Sequence, residues 1–241
     1  MTKWTSADDL TKALAEFIAT FVFVFIGVGA VGSVLAVGGT DSRASYIVIG
    51  LGHGLGIMLG VLAVGRISGA HLNPAVTIAA LVTGNISVVR SALYIAGQLA
   101  GAVLAIAVLN GVAFDRDELG LHQIAPQLST ADGLVLEIFL TFILVWTIFA
   151  TAIDRRGNTA LTPFAIGMAI TVGHFIALGL TGASMNPARS FGPAAFFGNF
   201  NQHWVYWAGP ITGGILAALV YVYFFGDDEA RKRVGRIKLS G

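Results

Sequence analysis

Two short stretches, each built around the tripeptide Asn-Pro-Ala, decide the fold of this chain. They read Ser-Gly-Ala-His-Leu-Asn-Pro-Ala-Val-Thr at 68–77 and Gly-Ala-Ser-Met-Asn-Pro-Ala-Arg-Ser-Phe-Gly-Pro at 182–193. Asn caps helix N-termini and Pro suits the first helical position, so each tripeptide predicts a helix start. The apolar stretches that follow, 74–83 and 187–197, have about half of the roughly 20 residues that cross a bilayer. We therefore interpret both as half-helices that enter a membrane without crossing it.

Six longer apolar windows surround the half-helices, and each is long enough to span a bilayer. They lie at about 13–36, 45–65, 88–112, 133–153, 160–180 and 203–225. Only 11% of the 241 residues are charged and 56% are hydrophobic, whereas soluble domains carry about 25% charge. The sequence thus predicts an all-α polytopic membrane protein with a single channel-like domain over 1–241. The absence of cysteine excludes disulfides, thiolate metal sites and a Cys nucleophile.

The two halves of the chain repeat each other, with repeat one at about 10–115 and repeat two at about 130–226. The matching positions include Glu16 and Glu137, Gly69 and Gly182, Asn73 and Asn186, and the close-packing pairs Gly97/Gly101 and Gly209/Gly213. Each unit has three full spans and one half-helix. Because three is odd, the second unit enters the membrane from the opposite side, as in inverted-repeat transporters. The half-helix N-termini are therefore expected to meet near the midplane beside a water path.

Basic residues predict the orientation of the spans. Most of them fall on one side, namely Lys3, Lys12, Arg66, Arg90, Arg155, Arg156 and the basic residues of 231–238. Arg43 and Arg116 fall on the other side, and Arg189 lies within the second half-helix. The positive-inside rule then places both termini in the cytoplasm. We interpret the basic tail 227–241 as an orientation signal, with binding of anionic lipid headgroups as the alternative.

The meeting point of the half-helices has a definite chemistry. Two positive helix-dipole ends face one point there, and two Asn side chains can cap the helices while offering N–H donors to a passing molecule. Such a site favours a neutral hydrogen-bond acceptor and repels cations, including protons that hop along water. We therefore predict passive conduction of a neutral solute. The alternative is a proton-coupled transporter of a small solute that uses the intramembrane carboxylates Glu16 and Glu137.

Several classes of function find no support in the sequence. Neither a Gly-x-Ser-x-Gly nucleophile elbow nor an HExxH zinc motif is present, so we predict no enzyme, no catalytic residue, no metal site and no cofactor. A net charge of +1 gives no sign of a nucleic-acid partner. The remaining expected partners are the permeant molecule, membrane lipids and further copies of this chain.

The two Asn-Pro-Ala loops, together with Ala15-Glu16-Phe17 in the first span, resemble the signature of the major intrinsic protein (aquaporin) family. The resemblance covers essentially the whole chain. It implies a right-handed bundle of six helices and two half-helices, a homotetramer with one pore per subunit, and water as the permeant. It also implies that Glu16 and Glu137 support the half-helix loops and that His71 lines the cytoplasmic part of the pore.

The resemblance further implies a selectivity filter on the outer side. Arg189 occupies the repeat position of Val76 and resembles the filter arginine of the family, while family spacing from the two Asn residues assigns His53, His174 and Ala183 to the other filter positions. An intramembrane Arg costs several kcal/mol unless it lines water or is paired. A bulky His beside this Arg leaves a narrow, polar constriction that suits water rather than glycerol.

One departure complicates this picture. Most water channels carry Phe where this chain has His53, and His there is similar to the plant tonoplast branch, as is His122 in the loop before the fourth span. Ammonia is therefore a second candidate permeant, and His122 is either part of an extended filter or an ordinary exposed loop residue.

The plasma membrane is the expected location, with a vacuolar membrane as the alternative. Gating by pH through histidines stays open.

Overall fold

The computed structural model describes residues 6–39, 43–114, 117–236 and 239. The described residues form helices and connections without any β-strand. The helices are α1 (Ala7–Ala36), α2 (Arg43–Val64), α3 (Pro74–Val82), α4 (Val88–Leu109), α5 (Thr130–Ile148), α6 (Thr162–Thr181), α7 (Pro187–Phe197), α8 (Val205–Phe225) and α9 (Asp228–Arg233). Three of the basic residues used to predict the orientation, Lys3, Arg116 and Lys238, lie outside the described residues.

Six of these helices, α1, α2, α4, α5, α6 and α8, are long and apolar enough to cross a membrane. This confirms the predicted all-α architecture of six spans. The bounds agree within a few residues except at α1, which begins at Ala7 rather than near residue 13. Ser6 caps this helix in a capping box with Asp9, and Arg90 at the start of α4 donates to the same carboxylate at 2.6 Å. Paired charges thus extend the helix beyond its apolar window.

Two of the spans end in a π-helical turn. Asn110–Phe114 continues α4 and Phe149–Ile153 continues α5. The wider turn keeps the chain helical to the end of both predicted windows, 88–112 and 133–153. Such turns are rare, and an apolar pattern with a period of 3.6 residues does not predict them.

The short helices α3 and α7 are the two half-helices. The Asn73 side chain accepts a hydrogen bond from the backbone N–H of Ala75, and Asn186 accepts from those of Ala188 and Arg189. Proline occupies the first turn of each helix, where its missing N–H leaves no carbonyl unpaired. The Asn-Pro-Ala tripeptides therefore begin helices as predicted, at Pro74 and Pro187.

The two repeats interlock instead of packing side by side. Helix α1 packs against α2 and α4, and α5 packs in the corresponding way against α6 and α8. Each half-helix, however, packs chiefly on the third span of the other repeat, α3 on α8 and α7 on α4. The core of the bundle is thus shared between the halves, and both half-helices lie within it.

Glycine allows the closest of these contacts. A Cβ on Gly97 would lie 2.8 Å from the carbonyl oxygen of Ala13 in α1, and a Cβ on Gly209 would lie 2.6 Å from the Cβ of Glu137 in α5. Real Cβ atoms do not approach neighbours this closely, so these positions require glycine. The glycine pairs of the two repeats therefore serve helix packing, as the sequence indicated.

The tail after α8 folds back onto the bundle, which the sequence did not predict. Helix α9 leads to Gly235, whose backbone N–H donates to the carbonyl of Val82 at the end of α3. Arg156 donates to the carbonyl of Phe225, the last residue of α8, and to Asp154. The hydrogen bonds that Asp154 accepts from Arg156 and Tyr221 hold the pKa of its carboxyl well below its usual range, although partial burial acts in the opposite direction. We call the side of the bundle that carries Ala7 and Phe225 the terminal face.

Candidate pore and its constriction

Two asparagine side chains join the half-helix loops at the centre of the bundle. Nδ2 of Asn73 donates to the carbonyl of Met185 at 2.7 Å, and Nδ2 of Asn186 donates to the carbonyl of Leu72 at 2.8 Å. Each carboxamide oxygen already caps its own half-helix. Since an Asn amide carries two N–H groups, this arrangement leaves one donor on each side chain for a permeant molecule.

The backbone of both loops is strained in the same way. Ala70 and Leu72 in the first loop have φ of 51° and 52°, and Ala183 and Met185 in the second have 55° and 53°. For residues other than glycine this left-handed conformation costs about 1–2 kcal/mol each. Such strain persists only where the surroundings impose it, so something must hold each loop in place.

Glu16 holds the first loop. Its carboxylate accepts hydrogen bonds from Ser68 Oγ at 2.6 Å and from the backbone N–H groups of His71 at 2.9 Å and Leu72 at 2.7 Å. Nε2 of Gln98 adds a fourth bond at 2.8 Å. The carboxylate is fully buried, and its donors replace the hydration that it loses.

Glu137 holds the second loop in the same manner. It accepts from Thr181 Oγ1 at 2.7 Å and from the N–H groups of Ser184 and Met185, both at 2.9 Å. Both glutamates therefore bind donors of the half-helix loops. This geometry does not favour the alternative of a transporter that uses them to carry protons.

A candidate constriction lies where Arg189 of α7 meets two histidines. Nε of Arg189 donates to Nε2 of His53 in α2 at 3.1 Å, and Nη1 donates to the carbonyl of Gly120. The rings of His53 and His174, the latter from α6, stack with centroids 4.3 Å apart. All three side chains are buried, with 1–3% of each exposed. The structure thus brings together three of the four residues assigned to the filter.

The hydrogen-bond partners determine which nitrogen of each histidine carries the proton. Nδ1 of His53 lies 2.9 Å from the carbonyl of Ile49, and Nδ1 of His174 lies 2.9 Å from that of Ile170. A carbonyl only accepts, so each Nδ1 carries the hydrogen and each Nε2 presents a lone pair. The lone pair of His53 accepts from Arg189, whereas Nε2 of His174 is buried without a partner among the described residues. The constriction therefore offers an acceptor on His174 beside the guanidinium donors.

The fourth filter candidate, Ala183, lies in the strained loop between α6, which carries His174, and α7, which carries Arg189. Its side chain is 1% exposed. Its methyl group carries neither charge nor bulk.

A cavity of about 890 Å³ leads from the asparagines towards the terminal face. Both Asn73 and Asn186 line its inner end, and His71 and Arg66 are also part of its wall. The remaining lining is mainly apolar, from α2, α5 and α6, including Ile57, Val61, Leu144, Ile148, Ile166 and Ile170. A path with few polar groups lets water pass without binding it tightly.

His122 is buried, with only 8% of its surface exposed, so its interpretation as an ordinary exposed loop residue is wrong. Its Nδ1 lies 2.7 Å from the Oγ of Ser190, the residue that follows Arg189 in the chain. Its ring lies 5.2 Å from that of Tyr206. Burial, reinforced by the positive charge of Arg189, holds the pKa of His122 well below its usual value.

This depressed pKa predicts a loss of stability in acid. The folded protein keeps His122 neutral, whereas the unfolded chain binds a proton near pH 6.5. The contribution to stability is therefore complete above pH 6.5 and declines below it, by at most about 1.4 kcal/mol per pH unit. We expect the thermal unfolding midpoint in lipid nanodiscs to fall between pH 6.5 and 5, and to fall less in His122→Asn. Equal slopes for the two proteins would contradict this assignment.

Sequence reasoning missed several members of the site. The carbonyl of Gly120 that binds Arg189, the amide of Gln98 and the contact between Ser184 and Ser190 were not predicted. Gln98 carried a usable signal, since it is a polar residue inside an apolar span. The partner of Arg189 carried none, because a backbone carbonyl has no sequence signature.

The fold and this site together define an integral, multi-pass membrane protein that acts as a transport protein and not as an enzyme. A cavity reaches from the terminal face to the two asparagines inside a bundle of six spans, and the buried glutamates hold the loops at its inner end. The model of the major intrinsic protein family matches residues 3–221. The chain belongs to this family of membrane channels.

Curated relatives resemble the chain over most of its length. The lens fiber major intrinsic protein of Lithobates pipiens is 48% identical over 224 residues, which is 92% of this chain and 83% of the relative. The probable aquaporin TIP3-2 of Arabidopsis thaliana is 42% identical over 231 residues, 91% of this chain and 85% of the relative. Aquaporin-4 of Mus musculus is 42% identical over 236 residues, which is 95% of this chain and 72% of the relative.

A solved structure shares the fold. The aquaglyceroporin of Plasmodium falciparum superposes with a TM-score of 0.79 over 88% of this chain and 95% of its own. At 24% sequence identity, this likeness concerns the architecture alone.

Proposed function

We propose that this chain is a passive water channel that excludes protons and ions, with His53, His174, Ala183 and Arg189 as its selectivity filter. The observation that carries the proposal is the constriction itself. The stacked histidine rings and the arginine are all buried, and we expect the opening beside them to admit a small molecule only. One lone pair on His174 and the remaining guanidinium N–H groups match the hydrogen bonds that a water molecule makes.

Proton exclusion follows from the second narrow point, at Asn73 and Asn186. Their free amide N–H groups act as donors, so a water molecule there accepts two hydrogen bonds and turns its own hydrogens outward. A proton cannot hop through a water that has no lone pair left for it. The positive ends of α3 and α7 and the charge of Arg189 add an electrostatic barrier to any cation.

Stopped-flow light scattering of proteoliposomes tests the proposal directly. We expect osmotic water flux well above that of empty vesicles, without glycerol flux and without dissipation of an imposed pH gradient. Water flux equal to that of empty vesicles would overturn the proposal. Parallel methylammonium gradients test ammonia as a second permeant, which the additional polarity of His53 favours and the bulk of His174 opposes.

The unmodified channel is expected to be insensitive to mercurials, because the chain has no cysteine. The variant Ala183→Cys should lose most of its water flux when a mercurial is added, since the adduct would occupy the loop beside the constriction. The reducing agent 2-mercaptoethanol should restore the flux. Val112→Cys is the matched control, because Val112 is 79% exposed, away from the path. Block of the unmodified protein, or the same block in both variants, would contradict the position of Ala183.

We also propose a homotetramer with one pore per subunit and with both termini in the cytoplasm. The exposed apolar side chains on the spans, Leu51, Leu55, Phe139 and Phe175 among them, support a surface that contacts lipid or other subunits. The basic residues near the terminal face support the orientation. The plasma membrane is the proposed location, with the vacuolar membrane as the alternative. Mass measurement in nanodiscs and protease accessibility in oriented vesicles test these points.

A further inference from the structure

The pseudo-symmetry of the two half-helix loops allows their hydrogen bonds to be compared position by position. In the first loop, the hydroxyl of Thr77 is the central group. It donates to the carbonyl of Asn73 at 3.1 Å and lies 3.1 Å from Nδ1 of His71. Nε2 of Gln98, from α4, donates to the same oxygen at 3.1 Å. A side chain from the third span thus anchors the first turn of α3.

The second loop keeps this pattern but lacks that anchor. Ser190 stands at the repeat position of Thr77 and Ser184 at that of His71, and their hydroxyls lie 2.5 Å apart. The repeat position of Gln98 is Pro210, buried in α8. Proline has neither a side-chain amide nor a backbone N–H, so it cannot donate to Ser190.

His122 supplies the missing donor from the loop ahead of α5. The hydroxyl of Ser184 donates to the carbonyl of Asn186 at 3.1 Å, and it accepts from the N–H of the same residue at 3.2 Å. Because the hydrogen of Ser184 is used in this way, the Ser190 hydroxyl donates either to Ser184 at 2.5 Å or to the carbonyl of Asn186 at 3.5 Å. The oxygen of Ser190 is then free to accept from Nδ1–H of His122 at 2.7 Å. A directed chain of hydrogen bonds therefore runs from His122 to Asn186.

We infer that His122 is a positioning residue that anchors the second half-helix loop through Ser190 and Ser184, in the place that Gln98 holds for the first loop. The inference deepens the proposed function, since the loop ends at Asn186 and leads directly to Arg189 in α7. His122 acts through Ser190 and does not need to touch the permeant. Its ring is held between Tyr206 and Gly182, whose added Cβ would fall 3.2 Å from Cγ and Nε2 of the imidazole.

Hydrogen–deuterium exchange measured by mass spectrometry in nanodiscs tests this inference independently of transport. Loss of one buried hydrogen bond corresponds to about a fivefold rise in local opening. We expect His122→Ala to raise exchange about fivefold in 182–193 and to leave 68–77 unchanged. Gln98→Leu should produce the opposite pattern, with faster exchange in 68–77 alone. His122→Asn, whose amide replaces Nδ1–H, should stay within about twofold of the unmodified protein.

The possible outcomes separate the anchor from a general structural role. Unchanged exchange in 182–193, or an equal rise in both loops, would overturn the inference, as would a failure of Asn to restore protection. If His122→Ala yields no folded protein, Ser190→Ala interrupts the same chain at its centre and carries the same expectation. Water flux of the unmodified protein is measured on the same samples. Its absence would overturn the proposed function, whatever the exchange pattern.

Discussion

Glu16→Ala is expected to leave little or no folded protein. The substitution removes the acceptor of four hydrogen bonds, from Ser68, Gln98 and the N–H groups of His71 and Leu72. Each buried donor left unpaired costs about 1–3 kcal/mol, and total stabilities lie near 5–15 kcal/mol. The strained loop would also lose its support. The amount of protein that remains monodisperse after detergent extraction, and its thermal unfolding midpoint, measure the effect.

The repeat supplies an internal comparison for this prediction. Glu137→Ala removes the acceptor of three donors, so we expect a loss of the same kind but smaller. Glu229→Ala is the matched control, because this carboxylate is exposed and contacts Arg155 at 3.5 Å on the surface; such pairs contribute about 0–1 kcal/mol. A Glu16→Ala protein as stable as the control would show that the carboxylate does not hold the loop.

His174→Ile is expected to relax the selectivity of the pore. The substitution removes a buried ring from the candidate constriction. It also removes Nε2 of His174, which is an acceptor without a hydrogen-bond partner among the described residues. A single methylene in a hydrophobic pocket changes discrimination about 10–200-fold, and for the loss of this ring we expect the permeability to methylamine and glycerol to rise about tenfold. Water permeability should change less, because water already passes. Stopped-flow measurements with each solute gradient check both parts.

The next residue along the chain offers the control. Phe175 is 45% exposed on the outer side of α6, so Phe175→Ile changes a surface side chain of similar size in the same helix. This variant should leave the permeabilities to water, methylamine and glycerol unchanged. If His174→Ile keeps the solute selectivity of the unmodified protein, the assignment of the filter is wrong.

Much of the architecture could be predicted because its determinants are local or repeated. The caps at Asn73 and Asn186 lie next to the helices that they start, and the length of the apolar windows decides which helices span the membrane. The inverted repeat places the two asparagines together without any knowledge of distances. The pairing of Glu16 and Glu137 with the loops needed the family resemblance, since spacing alone left a proton site open.

The remaining features depend on partners that are far apart in the chain. The contact of His53 with Arg189 joins residues 136 positions apart, and the supporting carbonyl of Gly120 lies in a loop without periodicity. The burial of His122 likewise follows from Ser190, Tyr206 and Gly182, which no local pattern connects with it. Helix α9 was missed because a polar six-residue helix has almost no apolar signal.

The exchange of half-helices between the repeats has a consequence for biosynthesis. Helix α3 leaves the ribosome early, yet its main packing partner α8 is the last span to be made. Until then α3 lacks most of its apolar contacts, and the amide of Asn73 also lacks the carbonyl of Met185 until the loop before α7 has been made. The pore therefore forms in the final stage of membrane insertion, and a nascent chain stalled before residue 205 should remain open to chaperones and proteases.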